Sequence, residues 1–263
     1  MRMTTDISSA KRDQLDTDGY CVIDHILTED LLTQLRTLSD RMLDAVEAQA
    51  RWKYQGSDIH ARRGDEPLIA QLIDWQPAHD ALAAMGLGDF TPDEMIIVLS
   101  KPPGGAPLYW HQDWMAWNDP ISAAPWPQYL FLSYYLVDTT IANGCMRVIP
   151  GTHRKRISLH DHLVAAHEQG AHNVPEHDPA MFCDHPDAVD VPVKAGSLVI
   201  AEGRVLHAAR RNASDTRRTL LLCWHRRPPT VPDYWTDEVP QVILQRDPRA
   251  TYEATRVPGK YLG

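Results

Sequence analysis

The sequence predicts an α+β protein that is mainly β, with helices near its start and a sandwich or jelly-roll barrel after them. Residues 28–46 repeat apolar side chains at helical spacing. From Glu94 onward, short apolar runs alternate with turn signals such as Asn143-Gly144 and Pro150-Gly151. Because helical segments come first and strands later, we expect one domain with its helices packed against the barrel.

The first long helix is predicted from its capping residues. Thr28 can cap it, and Glu29 and Asp30 favour its first turn. Its apolar positions are Leu31, Leu35, Leu38, Met42 and Val46. A strand is expected before it at 19–24, a polar loop after it at 51–67, and a weaker helical pattern at 67–86.

Seven short apolar runs predict the strands of the barrel. They cover residues 95–99, 108–112, 128–137, 145–149, 189–193, 197–201 and 219–225. A polar insert at about 153–190 separates two groups of these runs, and we expect one helix in it near 159–169. The expected organisation is a single domain over 1–263, with helical support at about 1–90, a core at about 91–227 and a C-terminal extension at 228–263.

Composition and charge exclude several classes of partner. The net charge of −9 argues against nucleic acid and against an anionic membrane surface. The four cysteines lie far apart without a Cys-x-x-Cys pair, which favours free thiols in a reducing compartment. No stretch approaches the roughly 20 apolar residues that cross a bilayer, and residues 1–14 lack the apolar core of a signal peptide. We therefore expect a soluble, cytoplasmic protein that acts on a small molecule, and these patterns leave its oligomeric state open.

The run Trp110-His111-Gln112-Asp113 is the first candidate for chemistry. In an extended strand, residues i and i+2 point to the same face, so His111 and Asp113 can hold one metal ion. His207 is a candidate third ligand. Two histidines and one carboxylate leave coordination positions open, which suits non-haem iron(II) that binds a co-substrate and O2.

Each of these residues also has an ordinary structural explanation. A His-x-Asp triplet occurs in surface turns, and a lone histidine flanked by apolar residues is usually a satisfied core residue. The neighbourhood favours a site here, because aromatic residues at 109, 110, 114 and 117 surround the triplet. The pair Arg217-Arg218 follows His207, and an arginine there can hold a carboxylate bidentately, as a bound 2-oxo acid requires. We expect Arg210 and Arg211 to form a solvated face.

The polar insert offers a rival metal site. Its histidines could form a zinc or nickel cluster, although their spacing matches no recognised zinc motif. A solvated or substrate-facing role is therefore favoured for these residues: His160, His162, His167, His172, His177 and His185.

The strand at 128–137 has one face suited to lining a pocket. Alternation places Tyr129, Phe131, Ser133 and Tyr135 on that face. Because this face carries hydroxyl groups, Ser133 and Tyr135 are candidate pocket residues.

Residues 143–153 read NGCMRVIPGTH, which resembles the signature NGCLRVIPGSH of the phytanoyl-CoA dioxygenase family. Residues 18–24 and 101–103 are similar to that family as well, and the resemblance runs from about residue 12 to 226. It implies a double-stranded β-helix enzyme, a cupin-like jelly roll, that uses Fe(2+), 2-oxoglutarate and O2. It also implies that His111, Asp113 and His207 bind the metal.

The resemblance leaves the co-substrate arginine ambiguous. The segment 212–220 is one residue shorter than the family pattern. When the segment is aligned from the strand that follows it, Arg217 takes the position of the family's co-substrate arginine. When residues are counted from His207 instead, Arg218 takes that position. We prefer Arg217 because strand register decides which face a side chain takes. Relatives often carry serine at the position of Ala209, so one co-substrate hydrogen bond is missing or supplied elsewhere, and Trp117 matches an aromatic position near the pocket in some relatives.

The resemblance also implies the reaction. The expected enzyme hydroxylates or otherwise oxidises an unactivated C–H bond of a small specialised metabolite and releases succinate and carbon dioxide. Asp113 favours hydroxylation, desaturation or cyclisation over halogenation, because a small residue there would leave room for halide. The alternatives are a metal-binding cupin-like protein without oxygenase activity and a jelly-roll isomerase.

Overall fold

The computed structural model describes residues 3–46, 57–113, 127–163 and 178–227. Its helices are α1 (Met3–Asp18), α2 (Glu29–Asp44), α3 (Pro67–Ile73), α4 (Gln76–Ala84) and a short 3-10 helix at Ser158–His162. Its strands are β1 (Tyr20–Ile23), β2 (Ser57–Arg62), β3 (Thr91–Lys101), β4 (Leu108–His111), β5 (Tyr129–Tyr135), β6 (Met146–Ile149), β7 (Val189–Val191), β8 (Leu198–Glu202), β9 (Leu206–Ala209) and β10 (Arg218–Arg226).

The strands form two antiparallel sheets. The larger sheet has the order β1-β8-β5-β10-β3-β2, and the smaller one has the order β4-β9-β6-β7. Phe131, Val148 and Leu222 belong to one buried cluster that joins the inner faces of both sheets. The prediction of a mainly β, α+β jelly roll with N-terminal helices is confirmed.

The helices cover the outer face of the larger sheet. Leu35 of α2 and Leu72 of α3 are fully buried in one cluster with Leu132 of β5 and Leu221 of β10. Burying each such side chain contributes roughly 1.5–3 kcal/mol. Strands β5 and β10 are therefore apolar on both faces, with helices on one side and the second sheet on the other.

Helix α2 begins as its sequence predicts. Thr28 adopts an extended conformation, and its side-chain oxygen accepts a hydrogen bond from the backbone N–H of Leu31 at 3.3 Å. Glu29 and Asp30 occupy the first turn, where their charge complements the helix dipole.

The structure departs from the sequence-based expectations in several elements. The segment 51–67, which was expected to be a loop, contains β2. This polar strand lies at the edge of the larger sheet, where the outer side of a strand needs no neighbouring strand. Strand β9 and helix α1 were not predicted. The helical pattern at 67–86 is divided into α3 and α4, and the helix expected near 159–169 is the short 3-10 helix, with residues 164–177 outside the described ranges.

Two further expectations concern the cysteines and membranes. All four cysteines are free thiols, and three of them are buried. Among the helices of the described ranges, none has the length and apolar character needed to cross a membrane.

Candidate metal centre

Strands β4 and β9 bring the three predicted ligands together. His111 ends β4 and pairs across the sheet with His207 of β9, and Asp113 follows two residues after His111. Asp113 Oδ1 lies 3.6 Å from His111 Nε2 and 3.7 Å from His207 Nε2. Ligand atoms bound to one metal at about 2.1 Å lie roughly 3.0–3.4 Å apart, so a small contraction would let these atoms bind one ion.

A β-bulge in β4 aims His111 at this site. Leu108 pairs with Ala209 and His111 with His207, so three residue steps on β4 oppose two on β9. The extra residue lets both Leu108 and His111 face the cavity between the sheets. Trp110 instead packs outside the smaller sheet, and its backbone N–H donates to the carbonyl of Met181 at 2.9 Å.

Backbone carbonyls set the tautomers of the two histidines. His111 Nδ1 lies 2.8 Å from the carbonyl of Tyr109, and His207 Nδ1 lies 3.2 Å from that of Val205. Since a carbonyl only accepts, each Nδ1 carries a hydrogen, and Nε2, on the side of Asp113, is the nitrogen left for a metal. Burial lowers the pKa of His207 to about 4, nearby His111 lowers it as well, and Asp113 opposes this. Neutral imidazoles held in this way are the form that binds a metal, so the donor set fits one.

Two aromatic residues support the ligands from the larger sheet. The ring of Phe131 packs against His207 with 4.6 Å between centroids. The indole N–H of Trp224 donates to Asp113 Oδ2 at 3.4 Å, which leaves Oδ1 facing the histidines. Trp224 was not predicted. It lies six residues beyond Arg218 on β10, and an even step along a strand keeps two side chains on the same face, so the sequence carried a signal for it.

Gln112 connects the segment that carries His111 and Asp113 to the segment that leads to His207. It is fully buried between His111 and Asp113, and its side-chain N–H donates to the backbone carbonyl of Arg204. Arg204 lies in the turn that leads into β9, and the next carbonyl, that of Val205, orients His207. Sequence alone gave no signal for this role, because the partner is 92 residues away.

The arginine pair is arranged differently from the expectation. Arg218 is buried and lines the cavity that also contains His111, Asp113 and His207. Arg217, the residue just before β10, points toward α2: one third of its side chain is exposed, and its guanidinium lies 3.8 Å from Asp40. The expectation that Arg217 faces the site is therefore wrong, because β10 is apolar on both faces and its sequence does not show which face is inside.

The other candidate pocket residues follow the predicted alternation. Ser133 and Tyr135 line the cavity together with Phe131 and Ala209. Tyr134 faces the other way, into the cluster beneath the helices. Trp117, Trp114 and Trp126 lie outside the described residues.

The segment 143–153, which resembles the family signature, supports this site. The carbonyl of Gly144 accepts a hydrogen bond from Arg218 Nη1 at 2.8 Å. Gly144 has φ +88°, and a Cβ there would lie 2.7 Å from the carbonyl oxygen of Arg210, so only glycine fits. Thr152 accepts from the backbone N–H of Leu206 at 2.9 Å, beside His207. The segment therefore holds the elements that carry the candidate ligands.

The histidines of the polar insert form no comparable cluster within the described ranges. There, the group of three or more potential ligands that lie within reach of one another is His111, Asp113 and His207. His160 is buried, its Nδ1 interacts with the backbone of Ile157, and burial lowers its pKa to about 4. His167, His172 and His177 lie outside the described residues.

Known structures share this fold. The 2-oxoglutarate-dependent carbocyclase SnoK of nogalamycin biosynthesis superposes with a TM-score of 0.62 at 20% identity, covering 85% of each chain. EctD of Sphingopyxis alaskensis, solved with 2-oxoglutarate and 5-hydroxyectoine, gives a TM-score of 0.56 at 19% identity, covering 83% of this chain and 75% of that one. At these identities, the likeness establishes the fold.

Sequence comparison gives the family. The ectoine dioxygenase of Sphingopyxis alaskensis is 26% identical over 78% of this chain and 71% of its own length. The phytanoyl-CoA dioxygenase of Arabidopsis thaliana is 28% identical over 48% of this chain and 40% of its own length. The family model described as phytanoyl-CoA dioxygenase (PhyH) matches residues 15–220. With this match over most of its length, the chain belongs to the phytanoyl-CoA dioxygenase family of 2-oxoglutarate-dependent oxygenases.

Proposed function

We propose that this dioxygenase hydroxylates, or otherwise oxidises, an unactivated C–H bond of a small specialised metabolite, with succinate and carbon dioxide as co-products. The observation that carries the proposal is the geometry around Asp113. Its Oδ1 lies within 3.7 Å of the Nε2 atoms of both His111 and His207, and the buried Arg218 lines the same cavity.

His111, Asp113 and His207 are proposed to hold iron(II), and Arg218 to hold the distal carboxylate of 2-oxoglutarate. Bound iron(II), with 2-oxoglutarate and O2, supplies the oxidising power for the C–H bond. The carbonyls of Tyr109 and Val205 keep the Nε2 atoms available to the metal. Asp113 supplies an anionic ligand where a halide would otherwise bind, which favours hydroxylation, desaturation or cyclisation over halogenation.

The rest of the cavity suits a water-poor reaction. Leu99, Leu220 and Leu222 line it between the metal ligands and Arg218, and all three are buried. Apolar walls of this kind exclude bulk water and strengthen the interaction of the guanidinium with a carboxylate. The cytoplasm is the proposed location, supported by the four free thiols.

The first experiment measures turnover of 2-oxoglutarate together with oxygen uptake in the purified protein. We expect both to require iron(II) and to be lost in His111→Ala. The control, His162→Ala, removes an exposed histidine of the insert and should retain turnover. Continued turnover in His111→Ala would contradict the triad, and metal binding without oxygen uptake would favour a non-oxygenase cupin-like protein or an isomerase.

The second experiment compares the two arginines. Removing one partner of a buried charge pair costs about 2 kcal/mol or more, so Arg218→Met should raise the dissociation constant of 2-oxoglutarate roughly 30-fold or more. Arg217→Met, which removes a surface charge, should change it less than about threefold. A larger loss in Arg217→Met would overturn the assignment of Arg218.

A further inference from the structure

We propose that a second cavity, on the outer face of the smaller sheet, binds a small aromatic acid, and that the acid group of this ligand pairs with Arg147. The site is separate from the metal centre, and the proposal does not depend on the proposed function.

This second cavity lies on the side of the smaller sheet that faces away from the metal centre. Along β6, Met146 lines the metal cavity, and Arg147, one residue later, lines the second cavity. Leu108, Ala208 and Ala209 line both cavities and form the wall between them. With a volume of about 270 Å³, the second cavity is close to the size of small ligand pockets.

Trp110 fixes one wall of this cavity. Its backbone N–H donates to the carbonyl of Met181, and its indole N–H donates to that of Cys183, both at 2.9 Å. These bonds hold the end of the polar insert against the sheet. The guanidinium of Arg147 lies over the Trp110 ring, 5.3 Å from its centroid, in a cation–π contact. The position of the arginine is therefore set before a ligand arrives.

Arg147 is a buried cation with a hydrogen-bond donor that is not used. The residue is 9% exposed, and its Nη2 pairs with Asp184 at 2.8 Å. Its Nε is buried and makes no hydrogen bond within the described ranges, since it lies 3.5 Å from Asp190, too far for a good one. A buried donor without a partner is costly. A ligand that brings an acceptor to this group would remove that cost.

The lining of the second cavity is positive, although the whole chain has a net charge of −9. Among the described residues that line it, Arg147, Arg210 and Arg211 face one carboxylate, that of Asp184. Asp190, which binds Arg210 at 2.6 Å, neutralises a further charge, and the surplus remains positive. An anionic ligand is therefore favoured over a cationic one.

Asp184 marks the position for the acid group of the ligand. Its Oδ1 lies 2.8 Å from Arg147 Nη2 and 3.8 Å from Arg210 Nη1, and 80% of its side chain is exposed. This carboxylate can leave for solvent at little cost, because exposed ion pairs contribute little. A ligand carboxylate between the two arginines would then take its place.

Apolar side chains supply the rest of the lining and define the body of the ligand. Ile141 is a large aliphatic residue that is 57% exposed, and the ring of Phe182 is half-buried. Both line the second cavity, together with Pro107. An aromatic ring with one carboxylate matches this combination of an apolar wall, a phenyl ring and arginines.

The test measures binding of 2-naphthoate by calorimetry, without oxygen, on the protein loaded with Mn(II) and saturated with 2-oxoglutarate. The comparison ligand is 2-naphthamide, a neutral amide of the same shape. We expect one bound 2-naphthoate per chain and at least tenfold weaker binding of the amide, as for a lost hydrogen bond between charged groups. The metal-free protein without 2-oxoglutarate should bind 2-naphthoate equally well. Failure to bind 2-oxoglutarate would overturn the proposed function and leave this second result standing.

Two variants should change the affinity for 2-naphthoate in opposite directions. Arg147→Met removes the cation and should weaken binding about tenfold. Asp184→Asn removes the competing carboxylate and should strengthen binding about threefold. Because Asp184 is exposed, its variant keeps the fold even where Arg147→Met does not.

The ion pair of Arg156 and Asp161 provides the matched controls. It lies in the same insert and does not line the second cavity. Arg156→Met and Asp161→Asn should bind both ligands as the parent protein does. Absence of 2-naphthoate binding, equal binding of 2-naphthamide, or displacement of 2-naphthoate by 2-oxoglutarate would overturn the proposal. An affinity in Asp184→Asn no higher than in the parent protein would overturn it as well.

Discussion

Trp224→Phe tests whether the indole N–H that reaches Asp113 contributes to metal binding. The bond is 3.4 Å long, near the upper limit for a hydrogen bond. Loss of a partner that orients a metal ligand typically costs 10–100-fold in metal affinity. Because this bond is long, we expect the lower end, about tenfold, which is about 1.4 kcal/mol.

The assay is anaerobic calorimetry with Mn(II) or Fe(II), paired with urea unfolding of the same samples. Phenylalanine keeps an aromatic ring beside Tyr129, whose ring stacks on Trp224 at 6.4 Å. The loss in metal affinity should therefore be larger than any loss in the free energy of unfolding would explain.

Trp75→Phe is the matched control for this prediction. The indole of Trp75 donates to the carbonyl of Ile26 at 2.9 Å, beneath the helices and away from the site. Its loss should lower the free energy of unfolding by about 1–3 kcal/mol and leave metal affinity unchanged. Equal metal affinities in Trp224→Phe and the parent protein, or equal losses in both variants, would refute the reasoning.

Three further predictions concern the support of the site and acid stability. Glu202→Gln removes the carboxylate that Arg204 binds at 2.6 Å in the buried interior, so urea unfolding should show a loss of about 3–5 kcal/mol; a loss below about 1 kcal/mol would contradict this. Gln112→Leu removes the hydrogen bond to the Arg204 carbonyl and should weaken metal binding several-fold in calorimetry, whereas unchanged affinity would argue against its connecting role. Burial, and to a lesser extent nearby His79, lowers the pKa of His225 to about 3. Below about pH 6.5 this histidine takes up a proton in the unfolded chain but not in the folded one, so the free energy of unfolding falls as pH falls. Between pH 7 and 5, His225→Phe should therefore lose about 2 kcal/mol less than the parent protein, and identical pH profiles would be inconsistent with this.

Local patterns predicted the elements whose signals lie within a few neighbouring residues. The cap at Thr28 and the leucines after it were sufficient for α2, and most of the strands lie where the apolar runs indicated. The edge strand β2 was missed because only two of its six residues, Ile59 and Ala61, are apolar. Strand β9 (Leu206–Ala209) was missed because His207, which faces the cavity, interrupts its apolar run.

The metal-ligand prediction used the spacing of His111 and Asp113 in one strand. In the structure, the geometry of the site also depends on contacts between distant segments. His111 is the last residue of β4 and Asp113 lies beyond it, so their convergence involves the bulge at Leu108–His111 and the buried Gln112 between them. These contacts join segments about 90 residues apart, and no local pattern encodes them.

Sequence alone determined the residue types and the family: two histidines, a carboxylate and an arginine pair in an order typical of iron oxygenases. Tertiary structure decided which arginine enters the cavity. Arg217 and Arg218 differ by one residue, and one residue reverses the face of a strand. Because helices cover one side of β10 and the second sheet covers the other, Leu220, Leu221 and Leu222 are all buried, so hydrophobicity could not identify the inner face.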